Sequence, residues 1–274
     1  MKKSFLALVL PALFAMSIIF VSCTKEDAVQ TDPTQNLTMQ AEGFATGAAV
    51  KVVLYSKELT VFAGYNKFYI ALYDSASGKR ITNANIQIMP MMDMGMMMHS
   101  APYENPQSAN AVDQLFPVNA VFIMSSMAGS WTLKVTVQVP ESGKTGVITI
   151  PLTVVEPTRA KVKSFTAAHN GENYFVSLIE PSTFKVGIND MEIAIYKRAS
   201  MMSFPADSSL SVVLTPEMPT MGHGSPNNIN PVHTGNGHYK GKVNFTMTGM
   251  WYLNLDFMSG AAVADSTQFF EVQF

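Results

Sequence analysis

Residues 131–139 read WTLKVTVQV, a run in which every second residue is apolar and the residues between them are polar. This alternation with a period of two predicts a β-strand that turns one face toward a core. A second alternating run, VITIPLTVV, occupies residues 147–155, and the turn signal Glu141-Ser-Gly-Lys144 separates the two. Beyond the first 22 residues, no long segment has the period of a helix.

Short apolar and β-branched runs recur along the chain between turn signals, which is typical of strands. Further strands are predicted at residues 50–55, 67–73, 84–89, 174–179, 191–196, 210–214, 239–247, 251–257 and 267–274. About seven short strands for each ~110 residues predict an all-β protein built from two tandem immunoglobulin-like β-sandwich domains. The Cys pair of antibody domains is absent from the sequence, so the prediction concerns architecture alone.

The two halves of the chain share three blocks in the same order and at nearly constant spacing. The blocks are GYNKFYIALY (64–73) with GINDMEIAIY (187–196), MGMMMHSAPYENP (94–106) with MPTMGHGSPNNINP (218–231), and MAGSWTL (127–133) with MTGMWYL (247–253). The spacing indicates two homologous units of domain size, at residues 44–157 and 158–274, rather than a solenoid. We expect the tryptophan of each third block to face the core.

The N-terminus has the features of an export signal over residues 1–22, followed by a polar tether over residues 23–43. Lys2 and Lys3 precede an apolar stretch that ends at Cys23, the only cysteine, in a pattern that resembles the lipobox of bacterial lipoproteins. We therefore expect lipidation of Cys23; the alternative is an ordinary cleaved signal with an incidental thiol. Lys25-Glu-Asp27 resembles the surface-export signal of Bacteroidetes lipoproteins, or is simply a solvated start to the tether.

These features predict a protein anchored by lipid to the cell envelope, in the outer membrane, which faces the periplasm or the exterior. Loss of residues 1–22 would change the formal charge from −2 to −4. The sequence has no basic stripe with interleaved aromatic residues, so nucleic acid is not an expected partner. The expected partners are the membrane and, as a possibility left open, another envelope protein.

Methionine is unusually dense in one part of the chain. Seven of the 20 methionines fall between residues 89 and 98, and we expect this segment to be a loop or an irregular edge. Thioether and imidazole groups are soft or borderline ligands that suit Cu(I). Two alternatives remain open: the methionines pack against the tryptophans, or they form an adaptable surface for a protein partner.

The repeated Met-x-x-Met-x-His motif predicts one metal site in each half. The predicted ligands are Met94, Met97 and His99 with Met127 in the first half, and Met218, Met221 and His223 with Met247 in the second. His233 and His238 lie close to the second site in sequence but have no counterpart in the first half. We therefore expect both of them to be loop histidines.

The second half also carries a family resemblance. Residues 218–224 (MPTMGHG), 237–239 (GHY) and 245–253 (FTMTGMWYL) resemble the YtkA-like and FixH-type domains, while the first half fits less well. The resemblance implies a small β-sandwich of the bacterial envelope. FixH-type members are associated with cation transport and cytochrome oxidase assembly, which implies a copper context.

No enzyme signature is present: the sequence has no Gly-x-Ser-x-Gly elbow, P-loop, HExxH or paired-carboxylate motif. The sequence therefore predicts a non-enzymatic, lipid-anchored protein that binds Cu(I) through Met/His loops. The alternative is an interaction or structural lipoprotein that binds no metal.

Overall fold

A computed structural model describes residues 32–274, so the expected export signal at residues 1–22 and the expected lipidation site Cys23 lie outside the described residues. Strands dominate this part of the chain, with one short 3-10 helix, Ser126–Ala128. The first twelve strands are β1 (Thr38–Ala45), β2 (Val50–Ser56), β3 (Val61–Phe62), β4 (Gly64–Asp74), β5 (Arg80–Ile81), β6 (Asn85–Asp93), β7 (Met98–Ser100), β8 (Tyr103–Glu104), β9 (Phe116–Phe122), β10 (Ser130–Val139), β11 (Lys144–Leu152) and β12 (Val154–Val155). The other nine are β13 (Val162–Thr166), β14 (Asn173–Glu180), β15 (Gly187–Lys197), β16 (Ser211–Met218), β17 (His223–Gly224), β18 (Ile229–Gly235), β19 (His238–Phe245), β20 (Met250–Ser259) and β21 (Ala262–Gln273).

The strands form two tandem immunoglobulin-like β-sandwiches with the same strand order. In the first sandwich, one sheet runs β1-β2-β4-β9-β8 and the other β11-β10-β6-β7. In the second, the sheets run β13-β14-β15-β19-β18 and β21-β20-β16-β17. Within the described residues, strand pairing stays inside 38–155 or inside 162–273, so the sheets separate at residues 156–161. Residues 32–274 contain no helix long and apolar enough to cross a membrane.

Each sandwich has its own apolar core with a tryptophan at one end, as the alternation predicts. Trp131 is 1% exposed and packs edge-on against Phe122, with ring centroids 5.0 Å apart. Trp251 is fully buried and packs against Phe245 at 5.5 Å. Burial of side chains of this size is the largest single apolar contribution that a core residue can make.

A buried asparagine shapes the start of the same strand in both sandwiches. The side-chain amide of Asn66 donates to the carbonyl oxygens of Phe62 and Gly64, and its oxygen accepts from the Phe62 amide. Asn189 makes the same three bonds with Lys185 and Gly187. These bonds satisfy backbone groups where the chain turns into β4 and β15, which is why the Gly-x-Asn step opens each first block.

The structure corrects two predictions about local structure, the first fully and the second in part. Residues 38–43, expected to belong to the tether, form most of β1, which pairs with β2 from Thr38 to Ala45. The segment is polar because it lies at a sheet edge, where backbone hydrogen bonds rather than apolar side chains hold it in place. The Met-rich segment, expected to be a loop or an irregular edge, is mostly strand: β6 extends to Asp93 and β7, at the edge of the sheet, begins at Met98, so only residues 94–97 form a turn.

The two sandwiches also share a small apolar cluster where they meet. Tyr65 and Val121 from the first sandwich contact Ala194 and Tyr196 from the second, and all four are buried. The polar groups that surround this cluster are described below with the candidate sites.

Candidate functional sites

The first Met/His site lies where three neighbouring strands end. Met92 of β6 faces His99 of β7 across the sheet, and on its other side faces Trp131 of β10. The rings of His99 and Trp131 meet edge to face with centroids 5.5 Å apart. All three side chains are buried, with exposed fractions of 0% for Met92, 3% for His99 and 1% for Trp131. Directly opposed residues on antiparallel strands have Cβ atoms about 4.5–5.5 Å apart, so the side chains of Met92 and His99 leave the same face of the sheet as neighbours.

One nitrogen of His99 is fixed and the other is free. Nδ1 lies 2.7 Å from the carbonyl oxygen of Ser100, and because a carbonyl only accepts, Nδ1 carries the proton. Nε2 is buried and has no hydrogen-bond partner among residues 32–274. In the tautomer with the proton on Nδ1, Nε2 presents a lone pair to its surroundings. Metal-binding histidines have this arrangement, in which the second nitrogen donates to a backbone carbonyl.

The second sandwich repeats this arrangement. Met218 at the end of β16 faces His223 of β17, whose ring lies 5.6 Å from that of Trp251. The Nδ1 atom of His223 lies 2.9 Å from the carbonyl oxygen of Gly224. Met218 and Trp251 are buried, whereas His223 is only half-buried.

A glycine two residues before each tryptophan makes room for the methionine. A Cβ atom added to Gly129 would lie 3.1 Å from the methyl carbon of Met92, and one added to Gly249 would lie 2.9 Å from that of Met218. A larger residue at either position would displace the thioether. The glycine of the Gly-x-Trp step in the third block thus leaves space for the methionine side chain, and the tryptophan of the same step packs in the core.

The structural counterpart of Met218 is Met92, whereas the predicted ligand was Met94. The first hairpin has two more residues between its methionine and its histidine than the second. A sequence alignment that matches the two histidines therefore does not match the two structurally equivalent methionines. The sequence does contain the correct signal, because a Pro-x-Met step ends both strands: Pro90 precedes Met92 and Pro216 precedes Met218. Both prolines face a leucine of the neighbouring strand, Leu133 or Leu253.

The structure brings some of the predicted ligands into these sites and leaves others at the surface. His99, Met218 and His223 belong to the clusters described above. The remaining predicted ligands are exposed, Met127 (91%) in the 3-10 helix and the others in turns: Met94 (41%), Met97 (52%), Met221 (62%) and Met247 (39%). Met94 and Met97 close the β6–β7 turn through a 2.9 Å backbone hydrogen bond, and Met247 accepts a hydrogen bond from the Trp251 indole at 3.1 Å.

Within residues 32–274, no three His, Cys, Asp or Glu side chains are grouped so that they could hold a metal ion. A site of the kind predicted here contains only one residue of those four types, the histidine. Its remaining donors would be thioethers.

A separate polar cluster lies between the two sandwiches, with Glu104 at its centre. The Oε2 atom of Glu104 accepts hydrogen bonds from the Tyr65 hydroxyl (2.9 Å) and the Asn119 amide (2.7 Å) of the first sandwich. Its Oε1 atom accepts from the Tyr196 hydroxyl (2.7 Å) and lies 2.8 Å from Nε2 of His238, both in the second sandwich. One carboxylate therefore ties together four side chains from both sandwiches.

His238 is held in its charged form by two carboxylates. Its Nδ1 atom lies 2.7 Å from Oε1 of Glu192, so both ring nitrogens face acceptors and both carry protons. The hydrogen bonds to Glu104 and Glu192 raise the pKa of His238 to about 9. Burial alone would raise the pKa of Glu104, but the hydrogen bonds from His238, Tyr196 and Asn119 outweigh burial and lower that pKa to about 2.

The expectation that His233 and His238 are loop histidines is wrong, since they lie in β18 and β19. His233 packs against the ring of Tyr239 at 5.2 Å. The contact of His238 with Glu104 spans 134 residues, so no local pattern could have indicated it. The only sequence signal for the position of His238 was the strand predicted at residues 239–247, which begins one residue after it.

A sequence profile described as YtkA-like matches residues 168–256, most of the second sandwich. No curated protein matches the chain. Among solved structures, the chain is similar to FdeC, an Escherichia coli adhesin, with 13% identity, a TM-score of 0.28 and coverage of 84% of this chain and 65% of that one. It is also similar to domains 5–6 of the S-layer protein SbsC (12% identity, TM-score 0.26, coverage 87% and 98%). Invasin, a bacterial integrin-binding protein, is similar at 10% identity (TM-score 0.26, coverage 82% and 39%). Likeness at this level carries no argument about function.

Proposed function

We propose that this chain is a non-enzymatic envelope protein that binds a soft metal ion, Cu(I), at a Met/His pair in each of its two sandwiches. The YtkA-like match supports an envelope protein with immunoglobulin-like domains. The observation that carries the metal proposal is the buried Nε2 atom of His99, which has no hydrogen-bond partner in the described part of the chain and belongs to a residue directly opposite Met92 on the neighbouring strand.

The chemistry of the donors favours Cu(I) over harder ions. Thioether and neutral imidazole are soft or borderline ligands, whereas structural zinc sites use thiolates. The only thiol in the chain belongs to Cys23, which we propose carries the lipid. Met92 with His99 and Met218 with His223 form the inner pairs of the two sites.

The exposed methionines of the adjacent turns supply the remaining donors in this proposal. Met97 and Met127 are available to the first site, and Met221 and Met247 to the second. Long, unbranched thioether side chains in surface turns can move toward an ion at little cost. Met94 adds a further thioether at the first site.

A competition titration with the Cu(I) chelator bicinchoninate tests the proposal on the mature chain. We expect two Cu(I) ions per chain, with one lost in Met92→Leu, one in Met218→Leu and both in the double variant. Met39→Leu serves as the matched control, because Met39 is exposed on β1. No binding above background, or equal binding by the control and the double variant, would contradict the proposal.

The alternative function is that of an interaction lipoprotein that binds no metal. The specific observation in its favour is a single hairpin with four exposed methionines, Met94, Met96, Met97 and Met98. Such a surface adapts to a protein partner. Loss of a partner in Met96→Ser without any Cu(I) binding by the wild type would support this alternative.

The lipid anchor at Cys23 is also a proposal, because the residue lies outside the described part of the chain. It places the two sandwiches on the outer membrane, facing the periplasm or the exterior. Labelling of cells with a radioactive fatty acid tests it: we expect a labelled wild-type protein and an unlabelled Cys23→Ala variant. Equal labelling of the two would contradict the anchor.

A further inference from the structure

We infer that a turn of the second sandwich, Ala199–Ser203, closes the first Met/His site, so that the two sites release their ion at different rates. This inference rests on the proposed function and concerns the regulation of the same sites. The first site becomes a closed site that retains its ion, and the second an open site that exchanges it.

The turn contacts the strand that carries His99. Strand β7 lies at the edge of its sheet, and the backbone amide of Ser100 donates a 2.8 Å hydrogen bond to the carbonyl oxygen of Met201. Ser100 is the residue after His99, and its carbonyl is the one that fixes the His99 ring. The turn thus covers the free edge of β7 at the residue that orients the proposed ligand.

The turn has a defined internal structure. The Ala199 amide donates to the carbonyl oxygen of Ser203 at 3.0 Å, and the Ser203 amide donates to the carbonyl oxygen of Ser200 at 3.4 Å. The Met202 amide donates to the hydroxyl of Ser200 at 3.1 Å. These bonds hold the turn together as a small rigid cover rather than a loose strand end.

The first site is less exposed than the second, as expected if the turn covers only the first. His99 and Ser100 are 3% and 0% exposed, and Ala101 is fully buried. In the second sandwich, His223 is half-buried and Gly224 is exposed. The methionine and the tryptophan of each site are buried in both sandwiches. The difference in exposure is therefore confined to the strand that carries the histidine, and the turn contacts this strand only in the first sandwich.

The contact between the sandwiches holds the turn in place. Strand β15 ends at Lys197, just before the turn, and its Tyr196 hydroxyl is bonded to Glu104 of the first sandwich. Glu104 follows Ser100 by four residues on the same edge of the first sandwich. Loosening the bonds of Glu104 should therefore free the turn from β7 without altering either Met/His pair.

The experiment follows release of Ag(I), a redox-inert substitute for Cu(I), from the mature chain loaded with two equivalents and mixed with excess chelator. We expect two phases of equal amplitude. Met218→Leu should lack the fast phase and Met92→Leu the slow one. Glu104→Gln should accelerate the slow phase at least about tenfold and leave the fast phase unchanged, because a hydrogen-bonded buried charge is lost.

Glu42→Gln is the matched control, since Glu42 pairs with Lys51 on an exposed part of the first sandwich. A second variant, Ser200→Ala, removes a hydrogen bond inside the turn and should accelerate the slow phase by a few-fold even if Glu104→Gln does not fold. A single release phase in the wild type, or a slow phase unchanged in both variants, would overturn the inference while leaving the metal sites intact. Absence of any bound Ag(I) or Cu(I) would instead overturn the proposed function.

Discussion

The imidazole of His238 in the second sandwich lies 2.8 Å from the carboxylate of Glu104 in the first, and this charged contact joins the two halves of the chain. The side chains of both residues are less than one-fifth exposed. A hydrogen bond to a charged group at this level of burial contributes roughly 1.5–3 kcal/mol, well above the value of an exposed ion pair. The contact should therefore be visible in the stability of the whole protein.

Stability should fall as the pH rises toward and above 9. The pKa of His238 is raised from 6.5 to about 9, so its contribution is complete below pH 6.5 and is lost as the pH passes 9. The pKa of Glu104 is lowered from 4.5 to about 2, so its contribution is complete above pH 4.5 and is lost toward pH 2. Besides Glu104, His238 faces Glu192, whose Oε1 atom lies 3.6 Å from Nζ of Lys240. The hydrogen bond from His238 is the main cause that lowers the pKa of Glu192, and the charges of Lys240 and Lys67 lower it further. Urea unfolding at pH 5.5, 7.5 and 9.5 measures the decline.

Replacing the histidine should remove this pH dependence. In His238→Gln the free energy of unfolding at pH 6 should fall by about 2–3 kcal/mol, because two carboxylates lose their shared charged donor. His169→Ala, in an exposed turn, is the control and should change little. If the variant retains the slope between pH 7.5 and 9.5, His238 is not the titrating group.

In His238→Gln the two sandwiches should unfold in separate transitions. Each sandwich contains one tryptophan, Trp131 or Trp251, so single-tryptophan variants report on each half. We expect the two reporters to give coincident urea transitions in the wild-type background and distinct midpoints in the His238→Gln background. Distinct midpoints in both backgrounds would show that the contact does not couple the halves.

Gly129→Ala should destabilise the first sandwich and impair its proposed metal site. The new methyl group would lie 2.3 Å from the backbone oxygen of Asp93 and 3.1 Å from the Met92 methyl. Overpacking of this kind costs about 1–3 kcal/mol, and here the backbone neighbour cannot move aside. Ser130→Ala, at an exposed neighbouring position, is the control for unfolding and for Cu(I) stoichiometry. If Gly129→Ala keeps wild-type stability and binds two ions, Gly129 does not provide the space that the Met92 side chain needs.

Asn66→Ala and Asn189→Ala should have matching effects. Each asparagine is nearly buried and makes three hydrogen bonds to the backbone, so each loss should cost about 2–3 kcal/mol at about 1 kcal/mol per bond. Asn85→Ala, which removes one exposed bond to Gln138, should stay within about 0.5 kcal/mol of the wild type. Chemical denaturation of the three variants tests whether the two turns are equivalent.

The sequence predicted the parts of this fold that depend on local pattern. Alternation located the strand of Trp131 and the strand of Trp251, and both side chains are buried as expected. It failed at β1, where an edge strand is held by backbone bonds that leave no apolar period. It also aligned Met94 with Met218, whereas the structural counterpart of Met218 is Met92, because hairpin length is set by turn geometry and not by the motif.

The contact of Glu104 with His238 was beyond local prediction. Its two residues are far apart in the chain and come together only through the packing of one finished sandwich on another. Glu104 lies in the second repeated block and His238 in the Gly-His-Tyr segment of the family resemblance, but neither pattern indicates that the two residues meet. Whether the Met/His pairs hold an ion stays a prediction.

The apolar cluster of Tyr65, Val121, Ala194 and Tyr196 is completed only when both sandwiches are present. Cutting the chain at residues 156–161 would give two fragments, each of which exposes its half of this apolar cluster. The carboxylate of Glu104 in one fragment and the imidazole of His238 in the other would lose each other as partners. Such fragments should self-associate, whereas the two-sandwich chain should remain monodisperse. The smallest well-behaved piece for crystallisation or binding assays is therefore the pair, and single-sandwich relatives should carry polar residues at these four positions.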